Sequence, residues 1–544
     1  QTLAQHPGPF QSALHALCPG GMRRREDGAV IQRPFGFDRL NGVRHTQALQ
    51  WRSNKRSPRH AAISMHPVLI KRPQDTLAEK GMRIMRGMAN GQQHIGDTPE
   101  ADARTAQAPE RPDAIHYGVQ TRRVLERLQR GMGGKDAGPL TLQLALDPAD
   151  VDAQAWDDLL AQQQSPSPFM RHAYLQAMQA SGSATAETGW QALFPQLWRH
   201  GTDGRELLAA CPLYVKSHSY GEYVFDWAWA RAYAEHGLDY YPKALIAVPF
   251  TPVPGSRLLA RSDHWRLALL EVVRALCADY GLSSLHLLLG DSHDQTTASA
   301  NGLMLRDGVQ FHWQNRSQLQ PDTADWHSFD DFLGSLRQDK RKKIRAEQRK
   351  VQEAGVQFRW ARGKEIPAED WAFFYRCYER TYLEHGNAPY LTPAFFARMA
   401  ESLADNWLLF IAEREGDPIA CSLIGLHLDP SGKPLVAYGR YWGALERVDC
   451  LHFDACYYQP LQWCIEHGVQ RFEGGAQGEH KMARALVPSP TWSAHWLAHP
   501  EFARAVGRFL EREKAGVAAY QEELQLRSPF RASSAASVTA TKLR

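Results

Sequence analysis

The chain has 544 residues, 43% hydrophobic and 22% charged, a composition ordinary for a globular protein and long enough for two or three folding units. No run of 18 apolar residues occurs, which excludes a transmembrane helix. Eight scattered Cys without CxxC or Cys/His spacing exclude a zinc scaffold and fit reduced, buried thiols. The net charge of +4 is uneven: residues 1–131 hold 21 Lys+Arg against 11 Asp+Glu, and the rest is mildly acidic, with 42 against 48, which argues against a nucleic-acid-coating role for the main body.

Residues 1–131 do not read as a domain. Arg, Gln, His, Pro and Gly dominate and periodic apolar runs are short, so the segment cannot bury enough apolar area to offset its ordering entropy. A disordered basic extension is expected, with the natural product starting near Met132. A basic arm for RNA or acidic lipid is the alternative. No secretory signal opens the chain, so a cytoplasmic location is expected.

From Leu140 the texture changes. Leu140–Leu146 alternates as a strand, and Asp147-Pro148 stops it ahead of a helix carrying Trp156, Leu159 and Leu160. A second helix follows Pro168 and carries Tyr174, Leu175 and Met178. Residues 190–198 and 206–216 predict a hairpin about Gly201-Thr202-Asp203-Gly204. Ser262 and Asp263 can cap a helix over 264–280, and Ser284–Leu289 reads as a buried strand. The pattern predicts one long helix over 329–355 with a basic face, then another over 369–383. Three antiparallel strands are expected at 408–414, 419–428 and 435–441. A helix over 452–467 is ended by Gly468 and kinked at Pro460. Strands at 471–473 and 493–497 and a helix to about Gln525 complete the pattern. The tail from Ser528 is small and polar, and disorder is expected there.

Four segments carry a resemblance. Arg337-Gln338-Asp339-Lys340-Arg341-Lys342-Lys343-Ile344-Arg345-Ala346-Glu347, closing at Gly355-Val356, is similar to a basic segment of the FemAB-like families. His218-Ser219-Tyr220-Gly221-Glu222-Tyr223-Val224-Phe225-Asp226-Trp227, Tyr438-Gly439-Arg440-Tyr441-Trp442-Gly443 and Phe472-Glu473-Gly474-Gly475-Ala476-Gln477-Gly478-Glu479-His480-Lys481 resemble signatures of a bacterial FemAB-like family associated with peptidoglycan biosynthesis. The resemblance spans about residues 140–520. It implies an α/β (α+β) chain of two tandem GNAT-like acyltransferase domains with mixed, mostly antiparallel sheets. The units are then 1–131, 132–325, 326–525 with the basic helix 337–350, and a tail 526–544.

The same resemblance implies an N-acyltransferase moving an acyl or aminoacyl group to an amine, with no resident cofactor and no metal. The donor is expected to be acyl-CoA or aminoacyl-tRNA. Acetyl-CoA enzymes of the GNAT type wrap pyrophosphate in a Gly-rich turn, whereas Trp442–Cys450 here has one Gly and two acids.

Candidate chemistry lies first in the glycine-rich loop, where Glu479 or His480 is the expected base and Lys481 the oxyanion partner, with Gln477 as a substrate donor. Tyr438 and Arg440 share a strand face by alternation. With Tyr441, His452 and Asp454 they are expected to bind substrate, Arg440 gripping a carboxylate or phosphate. His218, Tyr220, Glu222 and Asp226 are expected to line an acceptor groove. Lys340, Arg341, Lys343 and Arg345 are expected to contact phosphates of tRNA, CoA or an anionic precursor. A second reading is a non-catalytic module that recognises peptidoglycan precursor or RNA. Convergence of the 477–481 loop on a pocket favours catalysis, and its splaying into solvent favours binding.

Overall fold

The computed structural model describes residues 117–132, 138–202, 204–320, 322–476 and 478–531. Expectations for 1–116 and 532–544 fall outside them. Among the described residues fifteen strands run in chain order: β1 (Leu140–Ala145), β2 (Trp190–Ala192), β3 (Phe194–Gly201), β4 (Gly204–Ala210), β5 (Leu213–Lys216), β6 (Lys243–Ile246), β7 (Leu259–Ala260), β8 (Ser284–Leu288), β9 (Met304–Gln314), β10 (Val356–Arg362), β11 (Trp407–Arg414), β12 (Asp417–Leu428), β13 (Pro434–Ala444), β14 (Arg471–Glu473) and β15 (Val487–Leu497). No helix among them is long and apolar enough to cross a membrane.

Strands β1, β3, β4 and β7 make a small antiparallel sheet. The other eleven form one sheet in the order β10-β11-β12-β13-β14-β9-β15-β8-β6-β5-β2. Its pairs are antiparallel except β6 with β8 and β13 with β14. Helices lie between the partners of each parallel pair: Asp263–Asp279 for the first, the helical stretch 451–466 for the second. Outward from the central β9–β15 pair the two flanks share one plan. β14, β13 and β12 on one side answer β8, β6 and β5 on the other. The doubled, mixed and mostly antiparallel GNAT-like organisation is therefore present. The halves also exchange strands: β9 of the first pairs with β14 of the second, and β15 of the second with β8 of the first.

A shared apolar core joins the halves. Phe169 of the first packs against Trp407 and Tyr438 of the second. Gly425 makes this approach possible, since a Cβ there would lie 2.7 Å from the Phe169 ring.

Several elements differ from expectation. Residues 119–131 are not an extension but a helix, Val119–Gly131, whose Thr121, Leu125 and Leu128 are buried. Asp279 accepts from the Gln120 and Thr121 amides, both at 2.9 Å, and so caps it. The fold thus begins before Met132. The helix expected over 329–355 is two, Phe329–Ser335 and Gln338–Glu353, because Leu336 turns extended and is fully buried in the core beside Phe332. The irregularity expected at Pro460 appears one turn earlier, as a π-helical turn at Asp454–Tyr458. Proline has no N–H to donate and its ring crowds the carbonyl four residues back. Residues 528–531 fold back despite their polar context, since Phe530 stacks on Trp326.

Candidate active site

The site begins where β13 leaves β14. The two pair only from Val436 to Tyr438, opposite Arg471 to Glu473, and then diverge. On its other edge β13 carries a bulge: Gly439 faces Ile424 and Tyr441 faces Leu423, so Arg440 has no partner on β12. The backbone of Arg440 thus lacks a register partner on either neighbouring strand. A cavity of about 130 Å³ opens here, walled by Gly439, Arg440, Tyr441, Trp442, His452, Tyr457 and Phe472 among others. Gly474 is also in the wall, where a Cβ would meet Leu486 Cδ2 at 2.5 Å.

Arg440 reaches across to the first half. Its Nη2 donates to the Phe250 carbonyl at 3.0 Å and the Tyr441 hydroxyl at 3.1 Å, with Thr251 Oγ1 at 3.4 Å. The guanidinium lies 5.2 Å from the Phe169 ring centre and 5.0 Å from that of Tyr441. Burial disfavours its charge, but the hydroxyls of Tyr441, Tyr174 and Tyr223 outweigh this and keep it protonated. No described carboxylate pairs with it, and its buried Nε has no hydrogen-bond partner. Glu446, in the loop after β13, pairs with Arg414.

His452 lies in the first turn of the helical stretch 451–466 and faces the cavity. Its ring packs on Trp442 and Tyr457, and among the described residues its nitrogens accept no hydrogen bond. Burial, then the neighbouring His480, Arg484 and Lys481, hold its pKa down at about 4, so the ring is neutral near pH 7. Trp442 and His452 also border a second cavity of about 490 Å³, over the Ala444–Val448 loop with Arg380 and Arg447.

Glu473 was missed by sequence reasoning. It ends β14 on the Tyr438 side of the sheet, buried, with Arg471 Nε 3.0 Å from one oxygen and the other oxygen unpartnered. Burial pushes its carboxyl up to about 7. The only signal available was a carboxylate at a strand end just before Gly474-Gly475.

The glycine-rich loop does not gather as expected. Gln477 falls outside the described residues. Glu479 points outward, accepting from Tyr520 at 2.7 Å and pairing with Arg527 at 3.4 Å on the C-terminal helix, so it is not placed as a base. His480 is exposed, 3.5 Å from the Tyr457 hydroxyl. Lys481 is buried but donates to its own loop, to the carbonyls of Gly475 at 3.1 Å and Ala476 at 3.2 Å. Burial lowers its pKa to about 8. The cause is a six-residue 3₁₀ turn, Glu479–Arg484, which directs these side chains to different sides.

Of the other expected binding residues, Tyr438 and Arg440 do share a face, both against Phe169. Tyr441 joins them. Asp454 lies on the π turn, takes a hydrogen bond from Gln459 at 3.0 Å, and is raised to about 6 by burial. It is not in the cavity wall.

In the first half, Glu222 and Asp226 do not line a groove. They are buried and pair with Lys243, Glu222 at 2.8 Å. His218 hydrogen-bonds the Thr188 carbonyl at 3.0 Å, and Tyr220 packs between His218 and Trp227 at the surface. On the basic helix, Lys340 pairs with Asp339, Lys343 approaches Glu347, and Arg345 pairs with Asp330. Arg341 has no described acidic partner. None of the four borders either cavity.

A family model described as peptidoglycan biosynthesis/recognition, FemAB-like, matches residues 147–532. No curated protein matches the sequence. Among solved structures, FemX is 11% identical, with a TM-score of 0.42, covering 67% of this chain and 100% of that chain. L-PGS from Bacillus licheniformis is 12% identical, with a TM-score of 0.39, covering 66% and 97%. A tandem GNAT protein from the clavulanic acid biosynthesis pathway is 13% identical, with a TM-score of 0.35, covering 66% and 99%.

Proposed function

This chain belongs to the FemAB-like family of peptidoglycan biosynthesis and recognition, and from that premise we propose that it is an N-acyltransferase working where β13 diverges from β14. The observation that carries the reading is the backbone of Arg440, without a register partner on either side at the mouth of a cavity that also holds a neutral, uncommitted imidazole. Acyl transfer needs hydrogen-bond donors for a tetrahedral oxyanion and an acceptor for the amine proton. The bulged backbone of Arg440 and Tyr441 supplies the first, and His452 the second.

The amine nitrogen attacks the acyl carbon and forms the C–N bond. His452 takes the proton lost by the amine. As the C–S bond of a thioester donor or the C–O bond of an ester donor breaks, the same proton passes to the leaving sulfur or oxygen. One amide and one thiol or hydroxyl result.

The donor class is acyl-CoA or aminoacyl-tRNA, and the 490 Å³ cavity beyond His452 is its place of entry. The acceptor is an amine of a peptidoglycan precursor or an amino compound. Both donor classes place the reaction in the cytoplasm. The outward Glu479 and His480 are what a pure binding module would show, but the convergent groups lie at Arg440 and His452.

The test incubates the full chain with labelled acetyl-CoA or a mixture of aminoacyl-tRNAs, together with a nucleotide-linked muropeptide, and follows the amide product by mass spectrometry. Amide formation that disappears in His452→Ala supports the reading. Undiminished product from that variant removes it.

A further inference from the structure

Resting on the reading above, we infer that the transferred group is a short, uncharged acyl chain, so that an acyl-CoA serves as donor and an aminoacyl ester does not. In an aminoacyl group the amino nitrogen sits on the carbon next to the reacting carbonyl. With that carbonyl at the bulged backbone of Arg440 and Tyr441, whatever the next carbon carries enters the cavity of about 130 Å³. An α-amino group has a pKa of about 8 and is mostly charged near pH 7. An ammonium taken out of water needs a carboxylate or several free acceptors to offset its desolvation.

The cavity supplies neither. Among the described residues no Asp, Glu or Lys lines it. The guanidinium of Arg440 is turned to Phe250 and Thr251 of the first half. Ser422 donates its hydroxyl to the Ala455 carbonyl, the Tyr441 hydroxyl accepts from Arg440 at 3.1 Å, and that of Tyr457 lies 3.5 Å from His480. That leaves the ring of His452, which the transfer itself uses for the proton of the attacking amine. The carboxylates next in sequence to wall residues are held elsewhere: Asp454 takes Gln459 at 3.0 Å, and Glu473 takes Arg471 at 3.0 Å on the Tyr438 side of the sheet.

The field behind the wall points the same way. Burial, then His480, Arg484 and Lys481, lower the pKa of His452 to about 4, and burial raises the Cys456 thiol against the pull of Lys481. No described carboxylate contributes to either shift. A methyl or methylene group meets no penalty in this setting, because buried Ile424, Tyr457 and Phe472 give the wall apolar surface. Size limits the chain. An apolar cavity of about 150 Å³ holds benzene, so about 130 Å³ takes roughly five heavy atoms. Acetyl to butyryl groups are within that size, and a decanoyl chain is about twice it.

The experiment compares propionyl-CoA with glycyl-CoA, which exchange a methyl group for an ammonium on the same carrier, and adds decanoyl-CoA and a mixture of aminoacyl-tRNAs. The full chain and the same muropeptide acceptor are used. In each CoA reaction the amine forms the C–N bond as the C–S bond breaks, and coenzyme A leaves as the thiol with the proton that His452 took from the amine. Propionyl-CoA is expected to donate, with kcat/KM at least about 100-fold lower for glycyl-CoA and for decanoyl-CoA. A second readout needs no turnover: propionamide is expected to move the imidazole NMR signal of His452, and glycinamide to do so only at about 10-fold higher concentration or more. Glycyl-CoA or decanoyl-CoA as fast as propionyl-CoA, or transfer from aminoacyl-tRNA alone, overturns the inference and leaves the transfer reading intact. Equal shifts by the two amides, or none by either, also overturn it. A selective response to propionamide with no transfer from any donor sinks the transfer reading and keeps the selectivity of the cavity.

Discussion

Arg440 of the second half donates to the Phe250 carbonyl of the first at 3.0 Å, across the line where the halves meet. The residue with the least-satisfied charge in the site is therefore oriented by the half that does not carry the cavity. Each part of the site needs the other for its geometry, and the predictions below separate their contributions.

His452 is the expected proton acceptor. His452→Ala lowers kcat/KM by about 10²–10⁴-fold. Since burial and neighbouring cations hold the imidazole at about 4, the acid limb of the pH–rate profile lies near pH 4 and the rate is level from pH 6 to 8. A limb near pH 7 instead assigns the proton to Glu473, whose carboxyl burial raises to about 7.

Glu479 is expected to be dispensable. Its partners Tyr520 and Arg527 are on the surface, where solvent screens ion pairs. Glu479→Gln leaves turnover within about two-fold and unfolding free energy within about 0.5 kcal/mol. A complete loss of turnover in this variant would return the glycine-rich loop to the centre of the chemistry.

Glu347 anchors the basic helix. Its carboxylate takes Arg484 Nη2 at 2.9 and 3.1 Å and the Tyr458 hydroxyl, and all three are largely buried. Glu347→Gln leaves the Arg484 charge unmatched and is expected to cost about 3–5 kcal/mol in urea unfolding. Lys342→Gln on the exposed face changes stability by less than about 0.5 kcal/mol.

His286 and His495 face each other across β8 and β15, their Nδ1 atoms 2.7 Å apart. Burial lowers the His286 pKa to about 3 and that of His495 well below its usual value. An unfolded histidine binds its proton near 6.5. Between those values acid protonates the unfolded chain preferentially, so the stability tied to the neutral pair is present above pH 6.5 and is lost as pH falls towards 3. Melting curves from pH 7.5 to 4.5 should show Tm of the unaltered chain falling more steeply than that of His286→Gln. Parallel slopes would mean that the pair is not kept neutral by the fold.

Much of the second half was legible because its strands β11 to β13 are long, apolar and separated by Gly and Pro turns. β9, Met304–Gln314, was not: its Arg306, Asp307 and Gln310 face a partner strand from the far end of the chain, and local pattern carries no sign of that pairing. The same limit governed the site. Alternation correctly put Tyr438 and Arg440 on one face, but the bulge that isolates Arg440 depends on the register of β12. The dense polarity of Glu479-His480-Lys481 suggested a catalytic cluster. Where each side chain points is decided instead by Tyr520, forty-one residues on, and by the loop's own carbonyls. Glu473 gave little local signal, since its burial comes from strands remote in sequence.

The swap of β9 and β15 has a consequence for what can be cut from such a chain. A fragment ending before β15 would leave the rim of β8 bare, and one beginning after β9 would leave that of β14 bare, each an open template for aggregation. Neither half can therefore be cut from the other without baring a strand edge in the half that remains.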